Sequence, residues 1–349
     1  MNKIKYTVLG AGPAGIACIG KLLDKGICGS TIRWIDPKFK CGNLQYYKNV
    51  PSNTKIKNFY KYFTAFKSFE HNKYDNLKNY NLEETVKLGI IVKELQNTTN
   101  ILKEKVIYNK LSIYKIYNDD TKWNLMSNIN PLETDNLILT TGSYPKSYNY
   151  NKKTILLEEI LNNNINIPKN SKVGIIGLSH SSIIALKNLY DYGIKDVVCV
   201  YNKDLKYAKE MDGWIKYDNT GLKGNAAEWA KNILPSTNYK LNKIDSYISK
   251  NDLTTFFGDR DYMIYTMGFE RNKFPKIIYN NKEIEEINYN PYNGLIINEG
   301  KIINEGKIIN NLYGFGIAYP ELITHPDGNK EYNVGLAKFA RYINEVLKI

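Results

Sequence analysis

The sequence predicts an α/β protein with two domains, each built around a strand, turn, helix and strand in that order. The chain has 349 residues, of which 43% are apolar. A chain of this length usually folds into more than one domain, each with its own hydrophobic core. Residues 4–36 and residues 172–202 each contain a short apolar strand, a turn rich in glycine or serine, a helix and a second strand. Two such units far apart in the chain indicate two nucleotide-type α/β domains.

The two units differ in their turns but share the order of their elements. In the first, the strand IKYTVLG leads into the turn AGPAG, the helix IACIGKLLDKG ends at Gly26 as a carboxyl-terminal cap, and the strand STIRWID ends at Asp36. In the second, the strand KVGIIG precedes a helix that closes near Gly193, and the strand DVVCVYN follows.

The remaining segments predict simpler elements. Residues 105–126 are rich in tyrosine and broken by turn residues, which predicts an antiparallel meander before the apolar strand NLILTTG. Asparagine-rich stretches at 148–153 and 161–170 predict linker or surface loops. The repeat INEGKIINEGKI, residues 297–308, is too short for a solenoid and predicts a hairpin or an insertion at a strand edge. Residues 334–349 place apolar side chains at helical spacing and predict a final helix.

The composition argues against several classes of function. The net charge is +13 and the pI is about 9.2, but the lysines are spread through strands and loops, and no compact Lys/Arg block marks a nucleic-acid arm. The four cysteines show no CxxC spacing and no clustering with the three histidines, which argues against a metal site and a dithiol centre. No stretch approaches the roughly 18 apolar residues of a membrane span. We therefore expect a cytoplasmic protein with no dedicated nucleic-acid or membrane partner.

The segment GAGPAG, residues 10–15 and hereafter the glycine turn, has the arrangement of a dinucleotide-binding site. It follows a predicted strand, opens a helix and is followed by Asp36 at the end of the next strand. Gly10 permits the tight turn, Gly12 lets the backbone approach a pyrophosphate, and Gly15 lets the helix pack closely on the strand. The carboxylate of Asp36 can accept hydrogen bonds from ribose hydroxyls. Together these features predict a bound dinucleotide.

Four segments extend the pattern along nearly the full length of the chain. They are VLGAGPAG at 8–15, LTTGSYPK at 139–146, YTMGFERN at 265–272 and GFGIAYPE at 314–321. With these motifs the sequence resembles the flavoproteins that have two dinucleotide-binding domains, a group that includes thioredoxin reductase-like enzymes, flavin monooxygenases and pyridine nucleotide-disulfide oxidoreductase-like proteins. The motifs are specific for the architecture, and none of them specifies a substrate.

The resemblance implies two Rossmann-like dinucleotide-binding domains with three layers of the ββα type, the second inserted in the first. Residues 1–150 and 271–349 would form the two parts of an FAD-binding domain, and residues 151–270 would form an NAD(P)-binding-like domain. FAD would occupy the first site. The last helix would direct its amino end toward the anionic edge of the flavin, a favourable placement for a helix amino terminus.

The residues expected to contact FAD lie in the glycine turn, after Asp36, in the LTTG segment and near the carboxyl end. They are Gly10, Gly12, Pro13, Ala14, Gly15, Asp36, Pro37, Lys38, Gly42, Leu44, Asn53, Thr141, Gly142, Gly316, Ile317, Gly335 and Leu336. Of these, Gly42 and Leu44 would let the chain pass close to the cofactor, and Asn53 would offer hydrogen-bonding groups.

The turn of the middle domain, residues 177–182 and hereafter the serine turn, departs from the glycine pattern. Gly177 is retained, but Ser179 and Ser182 stand where the second and third glycines are expected. Each serine adds a Cβ where backbone would meet phosphate, although a hydroxyl could itself bond a phosphate oxygen. We expect His180 to be a cap or a phosphate contact rather than a catalytic base.

The strand after the serine turn ends in Asn202 and Lys203 with no carboxylate in place. A carboxylate would repel the 2′-phosphate of NADPH and a lysine would attract it, so this strand end favours NADPH over NADH. NADH stays possible, and a degenerate domain that only shapes a cleft is the alternative.

Three functions fit these features. The leading one is an FAD-dependent oxidoreductase that is reduced by NAD(P)H and passes electrons to oxygen or to a small oxidised substrate, in a monooxygenase-like or oxidase-like cycle. The second is a single-cysteine disulfide or peroxide reductase in which Cys41 relays electrons. The third is a non-enzymatic FAD-binding protein whose basic surface binds a partner.

Cys41 is the candidate catalytic residue of the second function. A reactive thiolate needs a neighbouring cation, helix amino terminus or base, and the sequence offers only Lys38 and Lys40 beside Cys41. We therefore predict that Cys41 lies near the flavin but is not required for turnover.

Overall fold

A computed structural model describes residues 3–70, 74–118, 122–148, 150–245, 247–273, 275–298 and 307–347. The strands are β1 (Tyr6–Leu9), β2 (Ile32–Ile35), β3 (Pro51–Lys55), β4 (Thr85–Lys87), β5 (Ile107–Asn109), β6 (Ile113–Asn118), β7 (Trp123–Ser127), β8 (Leu132–Thr134), β9 (Asn136–Leu139), β10 (Ser143–Pro145), β11 (Lys153–Thr154), β12 (Lys172–Ile176), β13 (Asp196–Tyr201), β14 (Lys209–Glu210), β15 (Ile215–Lys216), β16 (Lys240–Lys243), β17 (Tyr262–Tyr265), β18 (Phe269–Arg271), β19 (Lys276–Tyr279), β20 (Lys282–Ile284), β21 (Asn288–Tyr289), β22 (Leu295–Asn298), β23 (Lys307–Gly314), β24 (Glu321–Thr324) and β25 (Lys330–Asn333).

The α-helices include the three that the sequence predicts after the two turns and at the carboxyl end. In chain order, the α-helices of the described residues are α1 (Pro13–Asp24), α2 (Ile56–Phe63), α3 (Asp75–Lys78), α4 (Leu88–Lys105), α5 (Leu157–Leu161), α6 (His180–Tyr192), α7 (Gly224–Asn232), α8 (Lys250–Phe257) and α9 (Leu336–Val346). Left-handed glycines end two of them as expected, Gly26 just beyond α1 and Gly193 at the end of α6.

The chain divides into two compact units. Unit 1 contains Met1–Gln45, Thr54–Tyr144 and Arg271–Ile349, and unit 2 contains Tyr46–Asn53 and Pro145–Glu270. The sequence-based borders at 150 and 270 lie close to two of these divisions. The short segment Tyr46–Asn53, which the sequence assigns to the first domain, groups with unit 2.

Unit 1 has a parallel core sheet at its centre. Seven strands run in the order β21-β22-β23-β9-β1-β2-β5, and the pairs from β23 to β5 are parallel. A second sheet in the order β20-β19-β6-β7-β8 contains the predicted antiparallel meander. The meander prediction is wrong for β5, which pairs with β2 in parallel instead. The predicted hairpin at 297–308 has antiparallel flanks in β22 and β23, and its residues 299–306 lie outside the described residues.

Alternating side chains give unit 1 three layers. In β1, Val8 faces a cluster that contains helix residues such as Ile16 and Tyr62, whereas the next residue, Leu9, faces a cluster that contains Trp123 of the second sheet. Successive side chains of a strand point to opposite faces, so the seven-stranded sheet has helices on one side and the five-stranded sheet on the other. Both faces of the parallel core are therefore buried.

Unit 2 is built on a five-stranded sheet in the order β11-β17-β12-β13-β16, whose neighbouring strands are all parallel. Helix α6 packs against α5 and α7, and Phe257 of α8 joins a cluster with Val198 and Met263 of the sheet. The units are both mixed α/β structures on parallel sheets. Among the described residues, no helix combines the length and apolar character of a membrane-spanning helix.

Candidate cofactor site

The glycine turn lies at the carboxyl ends of the central parallel strands of unit 1. Gly10 has φ +108°, and its N–H donates to Ile35 O of β2 at 2.8 Å. Thr140, which follows β9, donates its hydroxyl to Leu9 O at 2.8 Å. A Cβ at Gly10 would collide with the backbone of Thr140, so both conformation and packing require glycine at position 10.

Gly12 differs because none of the neighbours that the structure describes requires glycine there. Its φ of −78° and ψ of −179° are extended backbone that any residue adopts. A Cβ built on Gly12 would have Gly42 Cα at 3.9 Å as its nearest neighbour, which is an ordinary contact. The missing side chain leaves open space directly at the amino end of α1, where backbone N–H groups attract anions.

Asp36 joins the glycine turn to the segment that follows β2. Its Oδ2 accepts a hydrogen bond from Ala11 N at 2.8 Å, and its Oδ1 accepts from Lys38 N and Phe39 N, each at 2.7 Å. A carboxylate has about four acceptor positions, so one remains for a ribose hydroxyl. Pro37 and Lys38 are both exposed beside it.

Residues 39–42, hereafter the left-handed loop, bring a second glycine to the glycine turn. Phe39, Cys41 and Gly42 have φ values of +51°, +58° and +63°. A Cβ at Gly42 would lie 3.1 Å from Gly12 Cα, so the two glycines are neighbours. The glycine turn and the left-handed loop together are hereafter the cofactor cradle, with no side chain at the point where the two approach.

The Cys41 thiol points away from this approach and into the protein. The residue is fully buried, and Sγ lies 3.7 Å from Val92 O and 3.6 Å from Gln96 Oε1 of α4. It also belongs to the helix-side core of unit 1 together with Tyr62. The Cys41 thiol is therefore enclosed by other protein atoms.

Two other predicted segments meet the cofactor cradle in unit 1. A Cβ at Gly316 would lie 2.7 Å from Ala14 Cβ, so the carboxyl-terminal segment packs directly on the glycine turn. Asn272 donates from Nδ2 to Thr141 O at 2.6 Å and from its backbone N–H to Gly142 O at 3.2 Å, which fixes the LTTG segment. These contacts bring the predicted segments together around one end of the sheet.

The remaining predicted residues have less informative positions. Pro13 and Gly15 lie in the first turn of α1, Leu44 and Ile317 are half-buried, and Gly335 precedes α9, which Leu336 begins. Asn53 is exposed on β3 in the segment that groups with unit 2.

Several side chains that support the cofactor cradle were not predicted. Trp34 donates from Nε1 to Gly10 O at 2.9 Å, and Tyr62 of α2 donates its hydroxyl to Pro13 O at 2.7 Å. Asn43 donates from Nδ2 to Ser143 O at 2.9 Å. Trp34 and Asn43 adjoin predicted segments, but no sequence signal connects Tyr62 to the glycine turn.

The serine turn repeats the strand-end arrangement of the glycine turn. Gly177 has φ +105°, and Thr266, which follows β17, donates its hydroxyl to Ile176 O at 2.8 Å, as Thr140 does to Leu9 O. The Cys199 thiol lies 3.3 Å from Gly177 O, at the register position that Trp34 has in unit 1. The two units therefore hold the first turn residue in the same way.

The serines change the start of α6. Ser179 N donates to Ser182 Oγ, and Ser182 Oγ lies 3.0 Å from Ser179 O, so the Ser182 hydroxyl caps the helix. Ser182 is fully buried, whereas Ser179 is exposed. Burial, with a smaller contribution from the positive charge of nearby Lys223, lowers the pKa of His180 to about 4, so the imidazole is neutral at pH 7. Within the described chain, His180 Nδ1 is buried without a hydrogen-bond partner.

The strand register identifies the residue of unit 2 that corresponds to Asp36. Leu9 pairs with Ile35 in unit 1, and Ile176 pairs with Val200 in unit 2, so the next residue, Tyr201, has the position of Asp36. Lys203 is exposed two residues further on. The next residue, Asp204, carries a carboxylate, and Lys243 Nζ binds its Oδ2 at 2.7 Å.

The comparison with known proteins gives the family. No family model matches the sequence. The chain is 30% identical to monooxygenase AgnR1 of Paecilomyces divaricatus over 390 residues, which covers 99% of this chain and 97% of the relative. The chain belongs to the FAD- and NAD(P)-binding oxidoreductase family.

Solved structures support the same fold for this oxidoreductase. A flavin-containing monooxygenase from Stenotrophomonas maltophilia matches with a TM-score of 0.61 at 11% identity, and the bacillithiol disulfide reductase Bdr (YpdA) from Staphylococcus aureus matches with a TM-score of 0.59 at 14% identity. Each match covers 99% of this chain and 97% of the other chain. As a member of this family the protein is an oxidoreductase and therefore an enzyme, which contradicts the non-enzymatic alternative. Among the described residues, no group of three or more His, Cys, Asp or Glu side chains could hold a metal ion.

Proposed function

We propose that the protein is an NADPH-dependent FAD oxidoreductase that passes electrons to oxygen in a monooxygenase-like cycle. Unit 1 would be the FAD-binding domain, and the long segment of unit 2, Pro145–Glu270, would be the NADPH-binding domain inserted between Tyr144 and Arg271 of unit 1. Gly12, Gly42 and Asp36 would hold FAD, whose flavin would supply the redox chemistry that moves two electrons from NADPH to oxygen, so that one oxygen atom enters an organic substrate and the other leaves as water.

The proposal rests on Gly12. The conformation of Gly12 suits any residue, and its Cβ position is open, so neither backbone strain nor packing accounts for the glycine. Space at the amino end of a helix fits a pyrophosphate, which backbone N–H groups and the helix dipole stabilise. The free acceptor position of Asp36 fits a ribose hydroxyl at the adjacent strand end. The residues present therefore fit the dinucleotide that the family binds.

The residues of unit 2 support NADPH as the electron donor. Tyr201 replaces the carboxylate that would repel a 2′-phosphate, and the carboxylate of Asp204 already binds Lys243. Exposed Lys203 would supply the attracting charge. The capped start of α6 has one donor fewer for phosphate, because Ser179 N donates to Ser182 Oγ. We therefore propose that charge at the strand end matters more for this nucleotide than the serine turn does.

The geometry of Cys41 argues against the thiol relay. A relay thiol must exchange electrons with the flavin and with a substrate, which requires access from a cleft. The Cys41 side chain is enclosed by Val92, Gln96 and Tyr62 instead. Cys28 is the exposed thiol, and the neighbouring Ser30 hydroxyl, 3.1 Å from its Sγ, lowers its pKa.

Oxygen consumption by the parent protein and by Cys41→Ser tests the proposed acceptor and the alternative together. We expect both proteins to oxidise NADPH with matching oxygen uptake, and the rates to agree within severalfold, because the buried thiol takes no part. Without organic substrate, two electrons and two protons per oxygen molecule yield hydrogen peroxide. Cys28→Ser is the matched control for replacing a thiol.

A different result would replace the proposal. If the parent reduced a disulfide or a peroxide without consuming oxygen, and Cys41→Ser lost that activity while keeping FAD, the single-cysteine reductase would be correct. Reaction of the native protein with a thiol reagent adds a check, since we expect Cys28 to react first and Cys41 only after unfolding.

A further inference from the structure

The left-handed loop holds an unusual backbone for its sequence. Phe39 and Cys41 both have positive φ, which L-residues with bulky side chains rarely adopt, and the loop is continuous with Gly42 beside the glycine turn. Such conformations persist only where the surrounding structure fixes them, and they concentrate at ligand sites. The contacts that fix this loop should therefore control the shape of the cofactor cradle.

Contacts with the Asp36 carboxylate, with two aromatic rings and with α4 fix Phe39. Asp36 Oδ1 accepts the Phe39 N–H, and the Phe39 ring packs edge-on against Trp34 at a centroid distance of 5.1 Å and against Tyr108 at 5.6 Å. The third contact comes from α4, where Gln96 donates from Nε2 to Phe39 O at 3.1 Å. Asp36 and Trp34 also form hydrogen bonds with the glycine turn, whereas Gln96 contacts the left-handed loop from helix α4.

Gln96 reaches both strained residues with one amide group. While Nε2 donates to Phe39 O, Oε1 lies 3.6 Å from Cys41 Sγ and can accept its S–H. The same Nε2 donates its second hydrogen to Asn100 Oδ1 at 3.2 Å, one helical turn along α4. A planar amide held at both ends restricts the loop between residues 39 and 41, and it gives the Cys41 thiol a structural partner.

We propose that Gln96 is a positioning residue for the FAD site, which holds the left-handed loop against the glycine turn before the cofactor binds. This inference rests on the proposed FAD site. Loss of the amide would let residues 39–41 leave the left-handed conformation and would move Gly42 from its place beside Gly12. FAD binding would then have to restore the loop, so affinity would fall although Gln96 need not touch the cofactor.

Gln96→Leu tests this role because leucine retains the size of the side chain and removes both hydrogen-bonding atoms. We expect the Kd of FAD for the apoprotein, measured by titration, to rise about tenfold. The apoprotein should keep its melting temperature, and NADPH oxidation at saturating FAD should keep its rate. In the apoprotein, hydrogen exchange of a peptide covering residues 37–44 should become about fivefold faster or more, while exchange elsewhere in α4 is unchanged.

Two further variants make the outcome specific. Asn100→Ala removes the other partner of Gln96 without reaching the loop and should leave the FAD affinity unchanged. Gln96→Glu places an oxygen against Phe39 O and should weaken FAD at least as much as Gln96→Leu. The inference is overturned if Gln96→Leu binds FAD as the parent does, if Asn100→Ala weakens FAD equally, or if the apoprotein melting temperature falls with affinity. If the parent itself binds no FAD, the proposed function fails instead.

Discussion

Gly12→Val is expected to abolish FAD binding while the apoprotein stays folded. Valine suits the extended backbone of Gly12, and a Cβ there would lie 3.9 Å from the nearest protein atom, Gly42 Cα. The added methyl groups would instead fill the space that a pyrophosphate needs beside the amino end of α1. We expect no measurable FAD binding, which means a Kd raised by at least about a hundredfold, or about 2.8 kcal/mol. Fluorescence titration of the apoprotein measures this change.

Gly15→Val is the matched control on the same turn. A Cβ at Gly15 would collide with Gly10 O, so this variant should lose stability as well as FAD. Circular dichroism melting of the two apoproteins separates the effects, with Gly12→Val close to the parent and Gly15→Val well below it. Retention of FAD by a folded Gly12→Val protein would remove the main support for the first dinucleotide site.

Lys203→Ala is expected to weaken NADPH and to leave NADH unaffected. The lysine is exposed at the strand end where unit 2 has Tyr201 in place of a carboxylate, and NADPH differs from NADH only by its 2′-phosphate. An exposed charge pair contributes about 1 kcal/mol, so the KM for NADPH should rise about fivefold. Because solvent ions screen such a pair, the difference should shrink as salt is added.

Steady-state kinetics with both nucleotides measures this prediction. Lys209→Ala, an exposed lysine on β14 of the same unit, is the control for a simple loss of positive charge. Equal changes in KM for NADPH and NADH would show that Lys203 does not contact the 2′-phosphate. Faster reduction of the parent by NADH than by NADPH would make the predicted preference wrong.

Local patterns in the sequence predict the elements that position the site. The helix after the glycine turn begins at Pro13, Gly26 follows its end, and Asp36 stands directly after β2. Each of these depends on neighbours within a few residues, such as a proline at a helix start or a glycine beyond its end. The strand order that brings Thr140 and Gly316 to the glycine turn follows from a resemblance rather than from these local rules.

Contacts between distant residues could not be predicted in this way. Gln96 lies 57 positions from Phe39, and Tyr62 lies 49 positions from Pro13, so no local spacing connects them. Cys41 has a positive φ and a buried side chain, and nothing in the sequence of a cysteine before a glycine specifies either feature. The correspondence between Asp36 and Tyr201 likewise needed the strand register, because the end of β13 is not marked in the sequence.

Anaerobic addition of NADPH to the purified protein tests whether it binds FAD that a nicotinamide nucleotide can reduce. We predict that the protein carries stoichiometric FAD, or takes it up as apoprotein, and that NADPH bleaches the visible absorbance of the flavin faster than NADH does. Readmitted oxygen should then restore the absorbance. A colourless protein that fails to take up FAD, or bound FAD that neither nucleotide reduces, would contradict the account.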